Sequence, residues 1–125
     1  MPHLALDFGL KYIGVAVAER RHGTATALST VGARDGLPIW DRLDALVRDW
    51  APEGFVVGLP LNMDDSESDM SEAARRFGAR LGRRYGIGVE FVDERLSTFE
   101  AIRRGGAHDT AALIIAETWL NSLAT

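Results

Sequence analysis

Residues 3–31, HLALDFGLKYIGVAVAERRHGTATALSTV, decide the fold. They contain three short apolar or β-branched runs, 3–8 (HLALDF), 12–18 (YIGVAVA) and 24–31 (TATALSTV), interrupted at Gly9 and Gly23. Runs of this length between turn residues are strands, and three in succession predict a hairpin meander.

Downstream the period changes. Pro38 stands where a first helical residue would, and Ile39, Leu43, Leu46, Val47 and Trp50 follow at helical spacing until Ala51-Pro52 stops the pattern. Phe55 to Leu59 (FVVGL) does not alternate, as expected of a strand covered on both faces, and Pro60 ends it. After a polar loop, Asp69 with Glu72 resembles a capping box for a second helix running to about Tyr85. Met70, Ala73, Ala74, Phe77 and Leu81 are its buried stripe. Ile87 to Val92 reads as a fifth strand. Ser97 with Glu100 opens a short helix closed by Gly105-Gly106, and Asp109 starts a last helix with Ala112, Ile115, Ala116 and Trp119 inward. The order β-β-β-α-β-α-β-α-α predicts one α/β domain over residues 1–125: a five-stranded mixed sheet with helices on both faces. Ligands of such sheets gather beyond the carboxyl ends of the parallel strands, here Leu59-Pro60 and Val92-Asp93-Glu94.

Composition narrows the chemistry. At 125 residues the chain is one domain, and 46% apolar with 26% charged residues is a globular balance rather than a disordered one. With no cysteine there is no disulfide framework, thiolate metal site or cysteine nucleophile, and a cytoplasmic location is the expectation. No apolar stretch approaches the ~20 residues of a membrane span, so no membrane partner is expected. The 14 basic side chains, 13 of them Arg, are outnumbered by 18 acidic ones, giving a net charge of −4. Polyanion binding therefore needs a local basic patch or bridging cations.

Several polar residues sit in unexpected places. Asp7 interrupts an apolar strand, and a buried carboxylate persists only if it is paired, protonated or bound to a cation. Lys11 or the Gly9-Leu10 turn amides are its local options. Asp93 and Glu94 follow the fifth strand and alternate to opposite sides, so only one of them can join Asp7. Asp109 caps a helix start. Three carboxylates from distant segments at one sheet edge are the donor set that hard divalent cations need. His3, His22 and His108 show no ligand spacing, and His3 and His22 read as solvent or turn residues. Arg75, Arg76, Arg80, Arg83 and Arg84 on the second helix are either a solvated face or a phosphate-backbone grip.

The segments LALDFGLKYIGVAVAE, FVVGLPLNMDDS, VDERLSTFEA and DTAALIIAETWL, in this order, resemble the YqgF family of ribonuclease H-like proteins, described as Holliday junction resolvases and as pre-16S rRNA nucleases. The resemblance covers nearly the whole chain. It implies a ribonuclease H-like fold and a phosphodiesterase dependent on Mg²⁺ or Mn²⁺. The catalytic and metal-binding acids it implies are Asp7 of DFG, Glu94 of DERLST and Asp109 of DTAA. Gly9, Lys11 and Gly14 match the first hairpin of the family, and Arg95, Ser97 and Thr98 its DERLST loop. Asp65 replaces a usual glycine, and the segment between Glu100 and Asp109 is short.

The expected function is hydrolysis of nucleic-acid phosphodiesters, either at the 5′ end of precursor 16S rRNA or in branched DNA. Lys11 and Arg95 would offset charge on the scissile phosphate, and Arg75, Arg76 and Arg103 would hold flanking backbone. A non-catalytic module binding structured RNA or a ribosomal partner is the alternative on the same scaffold. A nucleotide-binding ATPase with a DxG phosphate loop would need a second lobe, which 125 residues do not supply.

Overall fold

Glycine-containing turns after Asp7 and Glu19 reverse the chain, so that β1 (Pro2–Asp7), β2 (Tyr12–Glu19) and β3 (Thr24–Arg34) pair antiparallel as the expected meander. The computed structural model of the chain describes residues 2–62, 64, 66–93 and 108–123, the last segment with its side chains from Thr110 onward. Then follow β4 (Leu37–Pro38), α1 (Trp40–Trp50), β5 (Gly54–Leu59), α2 (Asp69–Tyr85), β6 (Gly88–Asp93) and α3 (His108–Leu123). β5 lies parallel to β1 and β6 parallel to β5, so the strand order is β4-β3-β2-β1-β5-β6. The short helix expected after Ser97 lies outside the described residues. None of the described helices is long and apolar enough to cross a membrane.

The sheet has six strands rather than five, because the chain folds back at Asp35-Gly36. Both residues take positive φ, 51° and 82°, as a two-residue hairpin turn requires, and Arg34 then pairs with Leu37. Pro38 is therefore an edge-strand residue opposite Ala33, not the first residue of a helix, and α1 starts at Trp40 with no side-chain cap. The cap of α2 is also displaced. Ser68, not Asp69, is the N-cap, with Ser71 as its reciprocal partner, and both hydroxyls donate to the Pro60 carbonyl. Asp69 and Glu72 occupy the first turn, where negative charge suits the helix dipole.

Alternation along the strands makes two unlike layers. Leu4, Leu6, Phe8, Val15, Phe55 and Val57 meet Phe77 and Leu81 of α2 and Leu43 of α1 on one face. On the other, Ala5, Ala16 and Ala18 offer almost no relief, and α3 settles on them through Ala112, Ile115, Ala116 and Trp119, the four residues expected to point inward. Met70, expected in the stripe of α2, is 37% exposed because the helix has only begun there. α1 and α2 are tied by a two-pronged bond from Arg84 to Asp44 (2.9 and 2.7 Å), with Tyr85 also donating to Asp44 and Arg84 stacked 4.5 Å over the Trp40 ring. These donors, Arg84 first, draw the Asp44 carboxyl down to about 2.

His3 differs from its expected solvent position. It points to the α3 face, is buried, stacks 4.3 Å from the Trp119 ring and stands 3.5 Å from Glu53. Burial lowers its pKa below the ordinary 6.5, although Glu53 and Glu90 pull the other way. The folded protein thus disfavours the imidazolium, and His3 costs stability as pH falls below the unfolded-state value near 6.5. In urea titrations, the His3→Leu protein is expected to lose less midpoint between pH 7.5 and pH 5 than the unaltered chain. Identical losses would contradict this.

Candidate active site

Asp7 is the last residue of β1, a strand flanked on both sides, and shares its face with His3 and Ala5 under α3. It is only 8% exposed. Gly14 is its partner on β2, and the β1–β5 register carried one residue further brings Gly58 beside it. Neither neighbouring strand lays a side chain next to the carboxylate.

The direction of α3 brings its start to the same edge. Its C-terminal half packs near the beginning of β1, since Trp119 stacks on His3, and Glu117, Thr118 and Asn121 line a cavity with Gly23 of the β2–β3 turn. From Trp119 back to Asp109 is ten residues, or ~15 Å of helix. From His3 forward to Asp7 is four residues, or ~13 Å of strand. The backbone of Asp109, second residue of α3, therefore stands at the level of Asp7. The amide end of a helix adds positive potential to that rim.

The β5–β6 register settles the face of one of the paired acids left open by alternation. Asp93 is in register with Leu59, as Phe91 is with Val57, so it falls on the α2 face. Glu90 and Val92 are in register with Val56 and Gly58, on the face of Asp7. Asp93 is thus on the wrong side of the sheet to join Asp7. Glu94, Arg95 and Arg103 lie outside the described residues. Among the described residues no group of three or more metal-ligating side chains occurs. Asp7 alone of the three expected acids has a described side chain, and a carboxylate oxygen is a donor that suits a hard cation.

The first turn is held firmly. The Leu10 carbonyl accepts from Gly36 N–H (3.0 Å) and the Lys11 carbonyl from Ala33 N–H (2.7 Å), so the β3–β4 hairpin clamps it and leaves Lys11 exposed at the rim. Gly9 is needed because a Cβ there would strike the Tyr12 carbonyl. The acidic loop after β5 closes on itself: Asn62 bonds Ser66, Ser66 donates to Asp64, and Glu67 takes Arg75 at 2.8 Å. Its bond from Ser66 holds the Asp64 carboxyl below the ordinary range. Arg75 also lies over the Phe91 ring, whereas Arg76 faces a cavity beside the first turn. Arg80 lines the same cavity, a placement that helix periodicity offered and charge counting did not single out.

Comparison with known proteins gives a consistent result. The model of the RuvX family, described as Holliday junction resolvase and the same family as YqgF, matches residues 1–122. A relative from Nitrosococcus oceani named "Putative pre-16S rRNA nuclease" is 48% identical over 98% of this chain and 88% of its own. A relative of the same name from Marinobacter nauticus is 47% identical over 93% and 90%. Among solved structures, Thermus thermophilus RuvC in complex with a Holliday junction superposes with a TM-score of 0.60 at 14% identity, covering 99% of this chain and 96% of that one. The fowlpox virus resolvase bound to junction DNA gives 0.59 at 12%, covering both chains fully. The fold is accordingly ribonuclease H-like.

Gly9→Ala is expected to destabilise the chain by about 1–3 kcal/mol in urea unfolding, because the first turn must open to admit the methyl group. An unchanged midpoint would show that the turn is not constrained as described.

Proposed function

The chain belongs to the RuvX family, and from that premise we propose that it is a divalent-metal-dependent nuclease whose working centre is the rim carrying Asp7, Glu94 and Asp109. The observation that carries this reading is the setting of Asp7: buried, flanked by Gly14 and Gly58, on the sheet face where α3 begins. An oxygen donor at the end of a central strand, on the face where a helix begins, is placed as a hard divalent cation requires. Asp7, Glu94 and Asp109 would hold Mg²⁺ or Mn²⁺. Bound there, the metal supplies a polarised water and neutralises charge on the phosphoryl oxygens.

The chain's own groups position the substrate. Lys11, exposed on the clamped first turn, offsets charge on the scissile phosphate, and Arg95 from the segment after β6 serves the same end. Arg75, Arg76 and Arg103 hold flanking backbone, Arg75 only at the expense of its bond to Glu67. For substrate we favour the end of precursor 16S rRNA over a four-way DNA junction. The relatives near half identity carry the former name, whereas the solved junction resolvases share only the fold.

Asp7→Asn should abolish Mn²⁺-dependent cleavage of a precursor 16S rRNA fragment while the metal-free protein still unfolds cooperatively. In thermal melts, Mn²⁺ should raise the midpoint of the unaltered chain and leave that of Asp7→Asn unmoved. Undiminished cleavage by the variant would remove the proposal and leave a binding module on a nuclease scaffold.

A further inference from the structure

The five arginines of α2 meet different fates. Arg75 is neutralised by Glu67 and Arg84 by Asp44. Among the described residues, Arg76, Arg80 and Arg83 make no ion pair or hydrogen bond. Arg76 and Arg80 are one helical turn apart and line one side of a cavity of about 210 Å³, while Arg83 does not. Like charges at this spacing repel each other on a helix surface, so the pair is mildly unfavourable until an anion arrives.

The floor of the cavity is apolar. Leu10 and Leu37 are 50% and 44% exposed there, with Phe8 beneath them. Leu10 belongs to the same clamped turn as Lys11, and three residues of chain keep its Cα within about 11 Å of that of Asp7. The cleft lies on the α2 face of the sheet, round the end of β1 from the Asp7 carboxylate on the α3 face. Among the described residues Asp35 is the one acid lining it. Its carboxylate repels a second phosphate backbone in the same cleft, which favours a single strand.

We infer that Arg76 and Arg80 form a phosphate clamp for a single nucleic-acid strand running away from the Asp7 rim, with the Leu10–Leu37 floor covering the apolar face of its sugar or base. The inference rests on the nuclease reading above. Two guanidinium forks suit phosphate oxygens, which accept paired N–H bonds from each. Because the contact is to backbone, it carries no sequence preference.

The test is equilibrium binding by the full chain in an Asp7→Asn background, across a salt series, to a labelled single-stranded RNA and a DNA of the same sequence. Adding Arg76→Gln or Arg80→Gln should make the slope of log affinity against log salt shallower by about 0.7 each, on both strands. Arg83→Gln, which removes the same charge from the same helix outside the cleft, should leave the slope unchanged. Arg80→Lys should retain the slope but bind more weakly. Equal loss in all three Gln variants, or no loss at the cleft pair, would overturn the clamp and leave the nuclease reading standing. Failure of the background protein to bind either strand would overturn both.

Discussion

The arrangement depends on how closely a helix can approach the middle of a sheet. On one face of β1 and β2 the side chains are Ala5, Ala16 and Ala18, and α3 answers with Ala112 and Ala116. Small residues on both sides bring the helix axis close to the strands, and Trp119 locks the far end against His3. With that end fixed, the rise of the helix carries its start to the edge where β1 ends in Asp7. A bulky residue among these alanines would lift α3 from the sheet and move its start away from the end of β1.

The same economy governs charge. The chain is acidic overall, yet several of its acids are committed locally. Asp44 binds Arg84 and Tyr85, Glu67 binds Arg75, Asp64 takes Ser66, and Asp69 and Glu72 sit at a helix start. Lys11 lies exposed on the first turn, and Arg76 and Arg80, which make no ion pair among the described residues, line the cleft beside it. A net charge of −4 therefore does not oppose nucleic-acid binding at that place, since fields at such a rim are set by nearby groups and screened within about 10 Å.

Much of this was legible in the sequence because it is local. The three apolar runs paired as expected, the alternation of LALDFG put Asp7 where its burial made it conspicuous, and the inward stripe of α3 was correct residue by residue. The Asp35-Gly36 turn was also legible, as a two-residue hairpin signal, but Pro38 beside a helical period outweighed it. The Ser68 cap was obscured by an acidic pair one residue later with the same spacing. Other features depend on residues far apart in the chain, and no local pattern contains them. His3 is buried because α3 arrives from more than a hundred residues away. Arg84 is spoken for because Asp44 stands on another helix, and Asp93 is excluded only by its register with Leu59.

In the proposed site Asp7, Glu94 and Asp109 hold one cation between them. Fe²⁺ substituted for Mg²⁺, with ascorbate and peroxide, generates hydroxyl radicals at the metal and cuts whatever backbone lies against it. Cleavage is expected to be confined to the neighbourhoods of Asp7, Glu94 and Asp109 and to be suppressed by excess Mg²⁺. Cleavage at one of these alone, or at segments elsewhere on the surface, would contradict it.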